Sequence, residues 1–116
     1  MTDDLRRFKR ADVRIPAMIQ VADDDAPGIT VTIVNLGPEG AFCATEEEMD
    51  HGSRVDLSFG IVDMNVSVRA QAVVRWISRR EGRHGIGLHF TQISQADRDA
   101  VYRYTLIKHA ESRGIL

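Results

Sequence analysis

At 116 residues, 43% of them hydrophobic, the chain has the length of one domain and enough apolar side chains for a real core. A formal net charge of −2 excludes a general nucleic-acid binder, whose footprint is a strongly basic surface, and the single cysteine, Cys43, excludes an intrachain disulfide and fits a reducing compartment. There is no run of about 18 apolar residues to span a bilayer and no basic-then-apolar leader after Met1, so the expected location is the cytoplasm.

Taken in chain order, residues 1–10 are polar and expected to form a flexible arm. They contain the basic pentapeptide Arg6-Arg7-Phe8-Lys9-Arg10, and with Arg14 this places five of the fifteen Lys and Arg residues between positions 6 and 14. A local positive patch therefore coexists with an acidic whole. Val13 to Val21 reads as a strand, and Pro16 near its start predicts an edge position or a strand beginning, because proline donates no ladder hydrogen bond. Asp23-Asp24-Asp25-Ala26-Pro27-Gly28 is a turn signal. Ile29, Val31 and Ile33 alternate with Thr30 and Thr32, the pattern of a half-buried strand.

The turn Asn35-Leu36-Gly37-Pro38-Glu39-Gly40 follows, then a short run Ala41 to Ala44 in which Cys43 reads as a small core residue. Glu46 to Gly52 is polar and predicts a brief helical turn. Val55, Leu57 and Phe59 form the next alternating strand. Val66 to Ile77 is the longest, with Val66, Val68, Ala70, Ala72, Val74 and Trp76 on one apolar face. Arg80-Glu81-Gly82-Arg83 turns the chain into Ile86, Leu88 and Phe90, interleaved with Gly85 and Gly87.

The period then changes. Ser94-Gln95-Ala96-Asp97 resembles a capping box with Asp in place of Glu. Ala100, Val101, Tyr104 and Ile107 share a helical stripe, Tyr102, Leu106 and His109 form a second one, and Gly114 sits where a helix stops. Six or so short strands before one long helix, with no helical pattern between strands, predict antiparallel pairing in a small closed barrel. The predicted layout is one domain, with the arm at 1–10, the barrel at 11–92 and the helix at 94–113.

No catalytic signature is present. There is no phosphate-binding loop, no His-Glu-x-x-His and no Cys-x-x-Cys. His51, His84, His89 and His109 are scattered without metal-ligand spacing. Asp23-Asp24-Asp25 lacks the ligand spacing of a calcium loop, and Glu46-Glu47-Glu48 reads as a solvated face. Neither an enzyme nor a cofactor is expected.

The chemistry that is present lies in two segments. An arginine fork matches phosphate oxygens and the O6/N7 edge of guanine. Arg6 and Arg10, four residues apart, can grip two parts of one ligand. Asn35 offers a carbonyl acceptor to guanine N1–H and N2–H donors, while Gly37 and Gly40 allow close backbone approach and positive φ. The residues alone admit two readings: a solubilising tail beside an ordinary turn, or a site for a small, anionic, guanine-bearing ligand.

Arg6-x-x-x-Arg10 and Asn35-x-Gly37-x-x-Gly40 carry a resemblance to the PilZ domain, the bacterial receptor module for cyclic di-GMP, whose marks are RxxxR and [D/N]xSxxG. Gly40-Ala41-Phe42, Val74-Arg75-Trp76-Ile77 and Gly85 to Phe90 extend it over most of the chain. The resemblance implies a six-stranded antiparallel barrel with a C-terminal helix. It also implies that Arg6 and Arg10 bind the phosphates and guanine edges, that Arg7 adds a contact or charge, that Asn35 contacts a guanine, and that Gly40 lets the backbone approach.

Gly37 stands where that family has serine and removes one hydroxyl. Trp76 is expected in the core as a tryptophan on an apolar strand face, although in the family a residue near this point flanks the ligand. The implied output is motility, adhesion, polysaccharide secretion or virulence through an unidentified protein partner, from a monomer or weak homodimer. The alternative is a PilZ-fold interaction module that does not bind the nucleotide and uses the Tyr102–Leu106–His109 stripe instead.

Overall fold

The computed structural model describes residues 10–22 and 25–114. Six strands follow in order: β1 Ala11–Val21, β2 Ile29–Gly37, β3 Gly40–Ala44, β4 Arg54–Ile61, β5 Val66–Arg80 and β6 Arg83–Ile93. One α-helix among the described residues, α1 Gln95–Ser112, follows the strands. The strands close into an antiparallel barrel in the order β1-β2-β3-β6-β5-β4. Closure leaves no edge strand, so each strand is paired on both sides over at least part of its length.

The alternation read from the sequence sets which side chains enter the barrel. Ala11, Leu36, Ala41, Leu88 and Val74 are directly paired neighbours on β1, β2, β3, β6 and β5 and are all buried. They form one inward layer. Burying each large aliphatic side chain is worth about 1.5–3 kcal/mol, so such layers supply most of the driving force. On the opposite wall Val55, Leu57, Phe59 and Ile61 of β4 fill the interior against Ala72, Ala70 and Val68 of β5. Cys43 is buried in this core, and burial pushes its thiol up to about 12, the behaviour of a packing residue and not a nucleophile.

Three local expectations change. Pro16 lies within β1, not at its beginning, but one residue before the ladder with β4, which takes only Ala17–Val21. Residues 46–52 form bends and a turn and contain no helix. Met49, in the middle of this segment, is only 8% exposed and packs in the core cluster. The short helical turn occurs instead at Val62–Met64, closed by Asn65 at φ 54.

Ser94 caps α1 by accepting the Asp97 backbone N–H at 3.0 Å. Asp97 does not complete a capping box, because its Oδ2 accepts the Arg69 backbone N–H at 3.2 Å. The helix therefore starts tied to β5. It packs against β1, β2 and β5 through Ala100, Val101, Tyr104 and Thr105. Ile107, expected on the buried stripe, is 38% exposed, and Thr105 takes the inward position, its hydroxyl donating to the Tyr102 carbonyl. No helix among the described residues is long and apolar enough to cross a membrane.

Candidate functional site

Two bulges decide what faces outward. β1 carries an extra residue between Asp12 and Ile15, and β2 shifts register against β3 between Ile33 and Asn35. Ile33 and Leu36 both point inward, which leaves Val34 and Asn35 together on the outer face. A third bulge in β5, between Val74 and Trp76, breaks the alternation that placed Trp76 with Val74 in the core. Trp76 is instead on the outer wall and 45% exposed, which corrects the core assignment.

The result is a row of direct cross-strand partners on the outer face: Asp12 on β1, Asn35 on β2, Phe42 on β3, Gly87 on β6 and Trp76 on β5. Four steps at about 4.8 Å per strand make this row roughly 19 Å long along the sheet. It lies in a cleft of ≈ 900 Å³ that Arg10, Arg14, Arg80 and Arg83 also line. A volume near the upper end of the small-ligand range suits a ligand as large as a dinucleotide. A smaller cleft of ≈ 540 Å³ on the opposite wall is lined by one arginine, Arg69, and has no aromatic ring.

At one end of the row, the Arg10 Nε–H donates to Asn35 Oδ1 at 2.7 Å, and Asn35 Nδ2 donates to Asp12 Oδ1 at 3.3 Å. Asp12 thus fixes which way the amide points, and the amide fixes the guanidinium. Both Nη groups of Arg10 keep their donors, and Asn35 Oδ1 keeps a second lone pair. His109, from the last turn of α1, donates through Nε2 to the Arg10 carbonyl oxygen, so the helix also holds the start of β1.

At the other end, Phe42 and Trp76 lie near-parallel, with ring centroids 6.3 Å apart and 16° between planes. Their seats are glycines. A Cβ at Gly87 would lie 2.1 Å from the Trp76 indole, and one at Gly85 would lie 2.8 Å from the Phe42 ring. The interleaved glycines of β6 are thus the floor on which two rings rest. The exposed indole face is a stacking surface for a base or a guanidinium.

The Asn35–Gly40 turn has a different construction from the one expected. Neither Gly37 nor Gly40 has positive φ. Gly37 pairs with Gly40 across Pro38 and Glu39. Proline second and glycine fourth is the preference of a type I turn, which needs no left-handed residue. Gly40 is required by packing, since a Cβ there would lie 2.2 Å from the Leu88 carbonyl oxygen. The turn is pinned from two sides: the Phe90 N–H donates to the Glu39 carbonyl at 2.8 Å, and Arg98 of α1 donates to the Pro38 carbonyl at 3.1 Å.

Of the expected site residues, the structure gathers Arg10, Asn35 and Trp76 in one cleft and puts Gly37 and Gly40 in the adjoining hairpin. Arg6 and Arg7 lie outside the described residues. Sequence reading passed over Asp12, Arg14, Phe42, Arg80 and Arg83. Asp12 and Arg14 were within reach of it, since they follow Arg10 at a two-residue spacing. Among the described residues no cluster of three or more His, Cys, Asp or Glu could hold a metal.

The family model described as the PilZ domain matches residues 4–106. A search of curated proteins finds no match. Among solved structures, the Bacillus subtilis inhibitor of motility (MotI/DgrA) is similar at a TM-score of 0.76 and 18% identity over 90% of this chain, which spans only 51% of that protein. The PilZ domain of YcgR from Escherichia coli, solved with c-di-GMP, gives 0.68 and 15% over 90% of this chain and 92% of that one. The PilZ domain of CeSA from a cellulose-synthesizing bacterium gives 0.60 and 15% over 83% and 93%. At these identities the structures show a shared fold.

Proposed function

The chain belongs to the PilZ-domain family, and on that premise we propose that it is a receptor for cyclic di-GMP, held in the cleft between the amino-terminal arginines and the Asn35–Gly40 turn. The observation that carries this reading is the Arg10–Asn35 bond. It holds an arginine fork at the edge of a cleft whose far wall is an exposed indole. One side offers charge-assisted donors for phosphate or the guanine O6/N7 edge, and the other offers a face for a purine. Asn35 Oδ1 can accept a guanine N1–H or N2–H while still bonded to Arg10.

Arg6 and Arg7 join this reading as further donors from the segment before β1. The ligand undergoes no chemistry. Binding draws the arginines that precede Arg10 onto the ligand and changes the surface shown to a protein partner, a ligand-driven population shift. The similar Bacillus protein is an inhibitor of motility, which supports control of motility as the kind of output.

Trp76 is the only tryptophan, so its emission reports on the cleft. Titration with cyclic di-GMP is expected to change Trp76 emission saturably, and a large excess of GMP is expected to reproduce little of the change. Emission indifferent to cyclic di-GMP, in a chain that binds it by another method, would move the ligand away from this wall.

A further inference from the structure

The β5–β6 hairpin closes on two arginines. Arg80 and Arg83 are direct cross-strand partners on either side of the two-residue turn Glu81–Gly82. Like charges placed directly opposite destabilise a hairpin. The next pair inward, Arg79 and His84, is also basic, but each has a carboxylate: Arg79 bonds Glu48 at 2.6 Å, and His84 lies 3.3 Å from Glu46. Arg80 and Arg83 have no such partner among the described residues, although the acidic run that contacts their neighbours includes Glu46 and Glu48, and Glu81 is between them.

Both arginines line the same cleft as Arg10. Arg80 is four residues beyond Trp76 on β5, on the same face and about 13 Å along the strand. The one carboxylate lining the cleft, Asp12, already accepts from Asn35. Positive charge is therefore left uncompensated at two places, beside Asn35 and at the hairpin tip, with the aromatic wall between them.

We propose that Arg80 and Arg83 are a second anion-binding pole, which takes phosphate oxygens of the cleft's nucleotide ligand on the side remote from Arg10. This rests on the cyclic di-GMP reading and adds to it where a second phosphodiester is held. An anion between the two guanidiniums converts a repulsive pair into two charge-assisted forks. The hairpin is then less stable empty than occupied.

The test is a cyclic di-GMP titration of the wild-type chain, of R80A/R83A and of R80K/R83K, with thermal melts of each free protein. The alanine pair is expected to weaken binding at least about tenfold and to melt at or above the wild-type temperature, since the repulsion is gone. The lysine pair is expected to recover part of the affinity, because charge returns without the fork. Wild-type affinity in R80A/R83A overturns the proposal. So does a melting temperature below the wild type, which would mean that the arginines hold the hairpin together. A wild-type chain that takes up no ligand fails the underlying receptor reading, and this inference falls with it. That failure is told apart because it appears before any variant is compared.

Discussion

Arg10 and Asn35, 25 positions apart in sequence, are joined by a 2.7 Å hydrogen bond from the guanidinium Nε–H to the amide oxygen. The bond links the two segments that the sequence marked separately, and it does so through β1–β2 pairing, which sets Asp12 opposite Asn35. The free protein thus already fixes one arginine against the turn, which in the proposed receptor would reduce the ordering cost of binding.

Replacing Arg10 with alanine is expected to weaken cyclic di-GMP binding by roughly 10- to 100-fold, the worth of a lost charge-assisted hydrogen bond. Arg10→Lys should not rescue it, because an ammonium on a flexible stem cannot hold Asn35 and also present a fork. Arg10 is exposed, so stability should change by no more than about 0.5 kcal/mol. Calorimetry with a melt of each variant checks both statements.

Gly37→Ser restores the hydroxyl that most of the family carries in this turn. Gly37 does not have a left-handed backbone, so serine can adopt its conformation. One neutral hydrogen bond is worth about 0.5–1.5 kcal/mol, so affinity should rise by up to about tenfold. An unchanged or weaker affinity, measured in the same calorimeter, would contradict the account of the missing hydroxyl.

Two glycine substitutions separate site from scaffold. Gly87→Ala puts a methyl into the Trp76 indole, 2.1 Å away, and the half-exposed ring can swing out. Trp76 emission should shift and ligand affinity fall, with the fold retained. Gly40→Ala meets the Leu88 carbonyl at 2.2 Å, and backbone cannot swing aside. Its expected effect is destabilisation of at least about 1–3 kcal/mol, the range for overpacking, seen in denaturant unfolding.

Cys43 should resist thiol reagents in the folded protein and react once the chain is unfolded. Its pKa is raised from 9.0 to about 12 by burial. The folded state therefore keeps a proton that the unfolded state loses, and the stabilisation is complete below pH 9 and declines as pH rises from about 9 toward 12. Cys43→Ala removes this contribution, so its stability should fall less steeply over that window in unfolding curves taken at several pH values.

Much of this fold was legible because strand alternation is a local signal. Ile29, Val31 and Ile33, or Val55, Leu57 and Phe59, declare their inward face without help from the rest of the chain. The bulges were not legible. A bulge arises when two strands must meet in register elsewhere, so its position is a property of the pair. Trp76 lies just past one, and the parity that put Val74 inside therefore failed two residues later. Phe42 was hidden for a related reason: on β3 it looks like one more apolar residue, and only its pairing with Asn35 and Gly87 shows that it belongs to the outer wall.

Other parts of the site reached the sequence by different routes. Arg10 and Asn35 were readable because arginine and asparagine carry their chemistry in the side chain. Gly40 was readable as a constraint, and one cause that the sequence could not show is the Leu88 carbonyl, which a Cβ there would meet at 2.2 Å. Asp12 was overlooked because it acts on Asn35 and only through it on Arg10. Polar Glu46–Gly52 suggested a helical turn, yet Met49 in that segment is buried in the core, and one buried side chain outweighed local propensity.

The most direct measurement is isothermal titration of the chain with cyclic di-GMP at near-physiological salt. Saturable binding is expected with a dissociation constant below about 100 µM, equivalent to roughly 5.5 kcal/mol or more, together with a clear loss of affinity when Arg10 is replaced with alanine. No binding up to that concentration, or binding indifferent to Arg10, would contradict the receptor reading.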